Sequence, residues 1–198
     1  MLGLPKATEL NKQLPKKAIY AKFQMNTAAK EKFDADISRI VIVNEVSPAR
    51  VAIEAGESVK AFYVLQVSLK KKDFDEKTIA QISKLIPQNM LLLLQFEGEE
   101  KLAIYHSKLM QTPWQSAGSL TVQLKGLNLD AVWENLIVQV GGVQIEEGHT
   151  LDEQIAADEQ RAKLQKEIAR LEKLAKTEKQ PKKKFELVQK INALQKQL

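Results

Sequence analysis

The residues with the best spacing for chemistry lie on and before one apolar segment. Residues 64–70 read VLQVSLK, and Glu54 and Glu57 precede them. Magnesium-dependent nucleases hold their metal with an Asp or Glu and a strand-borne Glu-x-Lys beside the scissile phosphate. Gln66 and Ser68 stand at the Glu and Lys positions of that pattern. Because an amide is a poorer magnesium ligand than a carboxylate and Ser carries no charge, the spacing favours a degenerate relative of such a nuclease over an active one.

Two runs of three lysines are candidates for binding an anionic partner. The first run ends the apolar segment and the second opens the last predicted helix; the six residues are Lys70, Lys71, Lys72, Lys182, Lys183 and Lys184. Most such runs are solvated surface. Cations at a helix N-terminus oppose the helix macrodipole, so the second run indicates a role other than helix stability. Contact with nucleic-acid phosphates is one such role, and it would be independent of base sequence and sensitive to salt.

Most enzyme classes lack their signatures in this sequence. No phosphate-binding loop, dinucleotide fingerprint or GxSxG elbow occurs. The chain has no Cys and two His, which excludes thiolate metal sites and a histidine-rich metal centre. His106 is predicted on a strand and His149 just before a helix, and neither has a neighbour at metal-binding spacing. We therefore expect no catalytic residue, no metal and no cofactor.

The net charge of +5 is unevenly distributed. Residues 1–32 carry seven Lys against two Glu, residues 33–150 carry eleven basic against fifteen acidic residues, and residues 151–198 carry twelve against eight. An electrostatic partner is therefore expected to meet the ends of the chain rather than its middle. No apolar run approaches the roughly 20 residues that span a bilayer, and the start lacks a signal-peptide core, so we expect a cytoplasmic protein without membrane contact.

Residues 1–148 are predicted to form one mixed α/β domain, of the α+β type with a mixed sheet. Apolar and β-branched runs predict strands at residues 39–46, 48–53, 59–69, 90–96, 102–109 and 120–124. Apolar spacing predicts helices at residues 7–13, 28–37, 74–85 and 131–140. Asn26 or Thr27 is the candidate cap of the second helix, and Asn128 or Asp130 that of the fourth. Asp73 and Glu76 have the spacing of a capping box before the third of these helices. The run at 59–69 is nearly all apolar, which predicts a central strand.

Residues 149–198 are predicted to form a helical hairpin or coiled coil. Thr150 and Glu153 have capping-box spacing, and no Gly or Pro follows until Pro181, which suits the first turn of a second helix. Apolar residues repeat at a 4-3-4 spacing in both helices. Isolated helices with one narrow apolar stripe are marginal in water, so the stripes need a cover. The candidates are each other, the α/β domain, a second copy of the chain, or another protein.

Four segments of the chain resemble an uncharacterised bacterial family, a domain of unknown function. They are the opening LGLPKATELNKQLPKKAIYAKF, the block SVKAFYVLQVSLKKKDFDEKTIAQISKLIPQNMLLLLQF, the segment LKGLNLDAVWENLIVQVGG and the tail RAKLQKEIARLEK. The resemblance covers nearly the whole chain. It implies genes beside DNA methyltransferases and superfamily-two helicases of restriction or phage-defence islands, and hence an accessory role in DNA-directed defence. The family brings no assigned catalytic residues.

Our leading hypothesis is a non-enzymatic accessory subunit that binds a helicase or DNA methyltransferase through its C-terminal helices. The residues predicted to bind the partner are those of the apolar seam, Leu164, Ile168, Leu171, Leu187, Ile191 and Leu194. The alternatives left open are a nucleic-acid-binding module that uses the lysine runs, a homo-oligomer joined by the same seam, and a degenerate magnesium-dependent nuclease.

Overall fold

A computed structural model describes residues 2–197 of the chain. It contains two compact units, of which one ends at Gly142 and the other begins at Val143. The first unit is mixed α+β and the second is helical. The predicted fold class is therefore confirmed: an α+β sheet domain is followed by two C-terminal helices that pack together.

Seven strands of the first unit form one mixed sheet. They are β1 (Glu9–Gln13), β2 (Ile37–Val46), β3 (Phe62–Leu69), β4 (Asn89–Phe96), β5 (Glu99–Tyr105), β6 (Leu109–Gln111) and β7 (Gln115–Ser116). The strands lie in the order β1-β2-β3-β4-β5-β6, and β7 pairs with β5. Only β3 and β4 pair in parallel. Parallel neighbours need a crossover connection, and the chain between them contains a helix.

Among residues 2–197, the first unit has four α-helices and the second has two. They are α1 (Lys16–Lys22), α2 (Thr27–Asp36), α3 (Glu76–Ile82), α4 (Leu129–Gly141), α5 (Leu151–Thr177) and α6 (Pro181–Gln195). The Asn26 side chain caps α2 by accepting the Ala29 N–H at 2.9 Å, and the Asn128 side chain caps α4 by accepting the Ala131 N–H at 3.0 Å. Both caps satisfy N–H groups that the first helical turn leaves unpaired, as the sequence predicts.

The main core of the first unit joins the early helices to the sheet. Ile19 of α1, Phe33 of α2 and Ile79 of α3 belong to one buried cluster with apolar residues of β2 to β5. Residues 90–94 of β4 are all buried, which is typical of a strand covered on both faces. On α4, Trp133 lies 5.3 Å from the Phe62 ring, measured between centroids.

Three of the predicted elements are wrong. Residues 7–13 are not a helix; a 3₁₀ turn, Lys6–Thr8, leads into β1, whose pairing with β2 outweighs local helix preference. Residues 48–53 form turns instead of a strand, and beyond them only Glu54 makes an isolated bridge, to Asn128. Residues 120–124 are irregular, although the Val122 N–H donates to the Leu2 carbonyl at 3.0 Å.

Two other predictions need new boundaries. Helix α3 begins at Glu76, and its cap is Asp75 rather than Asp73, because the Asp75 side chain accepts the Lys77 N–H at 2.9 Å. The hairpin between β4 and β5 turns through Glu97 and Gly98 alone, both with positive φ, of 42° and 81°. Two left-handed residues in sequence give the tight turn that matches the strand twist, so residues 99 and 100 belong to β5. Within residues 2–197, no helix is both long and apolar enough to span a bilayer.

Candidate functional site

The second unit begins with the helix start that the sequence predicts. At the start of α5, the Thr150 N–H donates to Glu153 Oε2 at 2.8 Å, and the Glu153 N–H donates to Thr150 Oγ1 at 3.3 Å. This is a complete capping box. The hydrogen bonds from Thr150 hold the pKa of the Glu153 carboxyl below its usual range. Pro181 lies in the first turn of α6, where its missing N–H costs no helical hydrogen bond.

The apolar stripes of α5 and α6 cover each other. Ile168, Leu171 and Ala175 of α5 form a buried cluster with Ile191 of α6. Leu187 and Leu194 pack against this cluster and are half-buried, and Leu164 is half-buried outside it. Five of the six residues predicted to bind a partner are thus used to hold the hairpin together. Their contact with a partner stays a prediction, and it would require the hairpin to open or the partner to reach the half-buried seam edge.

Other apolar side chains of the hairpin remain exposed. Leu174 of α5 is 44% exposed, and Phe185 and Val188 of α6 are 62% and 40% exposed. Leu174 also lines a groove of about 730 Å³ with Leu187, near the connection between the helices. The sequence pattern does not indicate these exposed side chains, because a 4-3-4 spacing selects the seam and not its flanks.

The same part of the hairpin is strongly basic. Residues 163–190 contain ten Lys and Arg against four Glu, an excess of six positive charges. Lys182, Lys183 and Lys184 are exposed at the start of α6 and form no ion pair with any described residue. Lys183 lines the groove. This lysine run is therefore available to an anionic partner.

Two of the three lysines of the first run form ion pairs within the first unit. Lys71 Nζ lies 2.7 Å from Oδ1 of the buried Asp36, and this pairing raises the pKa of the Lys71 ammonium. Lys72 Nζ pairs with Glu99 and lies 5.4 Å from the Trp114 ring centroid. Lys70 is exposed. Lys71 and Lys72 therefore differ from Lys182, Lys183 and Lys184 in having acidic partners within the described chain.

The proposed nuclease positions carry no recognisable metal site. Gln66 Nε2 donates to Gln95 Oε1 at 2.7 Å, and Gln95 Nε2 lies 3.4 Å from Oε2 of Glu100. Glu54 and Glu57 lie on the loop whose backbone is hydrogen-bonded to the start of α4. Among residues 2–197, no group of three His, Asp or Glu side chains is arranged to hold a metal ion. Gln66 therefore has a structural partner in the sheet.

The two histidines occupy connecting segments. His106 directly follows β5 rather than lying within a strand, and its N–H donates to the Lys108 carbonyl at 3.0 Å. His149 Nδ1 lies 3.1 Å from Gln154 Oε1, just before α5. Both environments are ordinary for polar residues at the ends of elements.

A cavity of about 550 Å³ lies over the first three strands and was not predicted from the sequence. Its lining comes from β1, β2 and β3, and includes Arg39, Asn44 and Gln66. Asn44 is 1% exposed, and its side-chain amide donates to Thr8 Oγ1 at 2.8 Å. The only signal in the sequence is a polar residue inside the β-branched run of β2, which by itself does not distinguish a cavity from a buried hydrogen bond.

These features define a two-part protein: a mixed-sheet α+β domain, and a basic helical hairpin with its own small core. The model of the family described as "Domain of unknown function (DUF4391)" matches residues 2–198, so the chain belongs to this family. No curated protein and no solved structure gives a significant match to the chain.

Proposed function

We propose that this protein is a non-enzymatic accessory subunit of a DNA-directed bacterial defence complex of the restriction-modification kind. In this proposal, the α5–α6 hairpin contacts the helicase or DNA methyltransferase of the complex. The observation that supports the proposal most directly is that Phe185 of α6 is 62% exposed, although the apolar seam of α6 is already covered by α5. The family resemblance described above supplies the kind of partner.

In this proposal, the residues that stabilise the hairpin differ from the residues that contact the partner. Ile168, Leu171 and Ile191 supply the buried contacts that stabilise two otherwise marginal helices. Phe185 and Val188 lie on α6 outside that cluster, so the hairpin does not need them for its own core. Single exposed apolar residues are common on surfaces, but aromatic residues within a binding surface often supply most of its affinity. We therefore place the partner contact on this exposed side of α6.

The charge of the hairpin indicates the chemistry of the partner surface. Lys182, Lys183 and Lys184 directly precede Phe185 in the sequence. A complementary protein surface has an apolar pocket for the aromatic ring and acidic residues around it, since opposite charges at the rim speed association and exclude wrong partners. We therefore expect the contact surface of the helicase or methyltransferase to be acidic.

A matched pair of variants on α6 tests this proposal. The full-length chain is tagged and purified from cells that carry its native gene neighbourhood, and the helicase and methyltransferase are quantified in the eluate. Phe185→Glu is expected to remove the partner. Ala193→Glu adds the same charge at another exposed position of α6 and is expected to retain it. Equal recovery of the partner with both variants would refute contact through this surface.

Nucleic-acid binding is the second candidate function, and the unpaired lysine run favours it. Three phosphate contacts would contribute a slope of about −2.7 to the plot of log affinity against log salt concentration. Replacing Lys182, Lys183 and Lys184 with Ala should flatten the slope by that amount. The control replaces three exposed lysines of the first unit, Lys12, Lys17 and Lys22. If the variant without these three lysines bound duplex DNA as the natural chain does, phosphate contact by the α6 lysine run would be excluded.

A further inference from the structure

The groove beside the α5–α6 connection is separate from the Phe185 side of the hairpin. Leu174 of α5, which is 44% exposed, and the half-buried Leu187 of α6 line this groove, whose volume is about 730 Å³. An α-helix turns by about 100° per residue, so Phe185 lies about 160° from Leu187 around α6. Phe185 and Val188 lie outside the lining. A ligand of the groove therefore does not need the contact proposed for Phe185.

Polar groups at the connection are already used within the hairpin. The Thr177 hydroxyl donates to the Leu174 carbonyl at 3.1 Å, and so does the Glu178 N–H at 3.0 Å. Glu178 Oε1 accepts the Gln180 N–H at 2.8 Å. A ligand of the groove therefore meets chiefly leucine side chains, lysine ammonium groups and the carboxylate of Glu186.

The charge around the groove favours an anionic ligand. Three lysines and two glutamates line it, and Lys179, Lys183 and Lys190 form no ion pair with any residue of the described chain. The surrounding residues 163–190 carry an excess of six positive charges. A surface of one sign attracts ligands of the opposite sign, and the leucines require that such a ligand also have an apolar part.

The spacing of the lining residues on α6 matches a helical ligand. Lys183 and Lys190 are seven residues apart, which corresponds to about 10 Å along the helix, or two turns. Acidic residues one heptad apart on a helix lying along α6 have the same spacing, and charges at such positions flank the apolar seam of helical bundles. The apolar face of that helix would cover Leu174 and Leu187, as amphipathic helices do in hydrophobic grooves.

A second copy of the chain and a nucleic acid match this groove less well. The hairpin of a second copy brings the same excess of six positive charges, and like charges oppose pairing. Nucleic-acid phosphates match the lysines but leave Leu174 and Leu187 uncovered. An acidic amphipathic helix matches both the charge and the apolar floor of the groove.

We propose that this groove binds an acidic amphipathic helix of another protein, which forms a three-helix bundle with α5 and α6. The apolar residues of the bound helix pack on Leu174 and Leu187, and its acidic residues lie near Lys183 and Lys190. This site goes beyond the contact proposed for Phe185 and does not depend on it, so either can be wrong without the other.

Fluorescence anisotropy of labelled synthetic peptides, titrated with the full-length chain, tests the proposal. The acidic probe has about 21 residues, long enough to be helical, with Leu at heptad positions a and d and Glu at e and g. It is expected to bind saturably with a Kd below about 100 µM. A matched peptide with Lys in place of Glu, and another with Gln in place of Leu, should each bind about tenfold more weakly or less. Absence of saturable binding by the acidic probe, or equal affinity for the acidic and basic peptides, would overturn the proposal.

Two matched variants of α5 locate the binding site. Leu174→Glu places a negative charge in the groove and should weaken binding of the acidic probe about tenfold or more. Ala169→Glu adds the same charge at an exposed position of α5 outside the lining and should leave binding unchanged. Leu174 lies outside the buried cluster of the hairpin, so both variants should fold, and hydrogen exchange of the α6 amides checks this. Equal probe affinity in the two folded variants would overturn the proposal.

The same two variants test the other occupants. Sedimentation of the natural chain should show no dimer that Leu174→Glu removes, and both variants should bind duplex DNA equally, since both add one negative charge. A dimer lost in Leu174→Glu and kept in Ala169→Glu would place a second copy in the groove. Weaker duplex binding by Leu174→Glu than by Ala169→Glu would place nucleic acid there. Either result would overturn the proposal.

Discussion

The carboxylate of Asp130, in the first turn of α4, accepts the backbone N–H of Val59 at 2.7 Å. The other Asp130 oxygen accepts the Glu57 N–H at 2.6 Å. One side chain therefore attaches the loop before β3 to the helix that packs on the sheet. The loop passes so close to the helix that a Cβ atom built on Gly56 would lie 2.2 Å from Asp130 Oδ1.

Gly56→Ala is therefore expected to destabilise the first unit by about 1–3 kcal/mol, the usual cost of overpacking. Urea unfolding followed by tryptophan fluorescence reports this unit specifically, because Trp114 and Trp133 both lie in it. In the Asp130→Ala background, the clashing oxygen is absent, so the same Gly56→Ala substitution should cost much less. An equal cost in both backgrounds would show that the contact is not the cause.

Asp130 should also make the stability of the first unit depend on pH. The hydrogen bond from the Val59 N–H, with those from Ser58 and Glu57, holds the pKa of Asp130 below its usual value of 3.8, against the opposing effect of burial. Because the folded pKa is the lower one, this stabilisation is present above the unfolded pKa, about 3.8, and is lost as pH falls through the folded pKa.

Asp130→Asn measures this contribution by comparison. The difference in urea midpoint between the natural chain and Asp130→Asn should be constant above about pH 5 and should shrink below about pH 4. Other carboxylates titrate in both proteins and cancel in the difference. A difference that grows with acidification would contradict the assigned direction of the pKa shift.

Tyr20 is expected to ionise at unusually high pH. Burial, then the hydrogen bond from its hydroxyl to Asp34 Oδ1 at 2.6 Å and the charge of Asp34, raise the pKa of Tyr20 to about 12. Subtracting the phenolate titration of Tyr20→Phe from that of the natural chain isolates this group. Asp34→Ala removes both the acceptor and the charge, so it should lower the pKa of Tyr20 toward 10, and no change in that variant would exclude Asp34 as a cause. The stability linked to Tyr20 is present below pH 10 and is lost as pH rises through about 12.

The pairing of α5 and α6 predicts different effects for two aliphatic residues of α6. Ile191 is 7% exposed in the hairpin core, so Ile191→Ala should cost about 2–4 kcal/mol. Val188 is 40% exposed, and Val188→Ala should have a much smaller effect. Hydrogen exchange of the α6 amides measures both. Equal protection in the two variants would mean that α6 is not held by this core.

Local signals in the sequence predict the helix starts well. Asn26, Asn128 and the Thr150–Glu153 pair each cap a helix at the expected place, because a cap depends only on residues within one turn. The apolar 4-3-4 spacing likewise predicts that α5 and α6 pack together. The spacing cannot show whether the seam is buried between α5 and α6 or against a helix of a partner, because the same pattern suits both.

The errors arise where distant residues decide the structure. Residues 9–13 form a strand because β2, more than twenty residues further on, offers a ladder of hydrogen bonds. The same holds for the candidate sites. Lys71 is compensated by Asp36 through the fold, and Asn44 lies beside Thr8 across 36 residues. No spacing within one segment indicates such pairs, so the sequence alone shows neither the ion pair of Lys71 nor the cavity.

The decisive measurement for the accessory role is the recovery of the helicase or methyltransferase with the tagged full-length chain. The account predicts that the partner elutes with the natural chain and with Ala193→Glu, and that Phe185→Glu loses at least nine-tenths of it, which corresponds to about 1.4 kcal/mol or more of binding free energy. Hydrogen exchange of α6 must be the same in both variants, so that loss of the partner reports contact and not unfolding. Full recovery of the partner with a folded Phe185→Glu chain would contradict partner contact through the exposed side of α6.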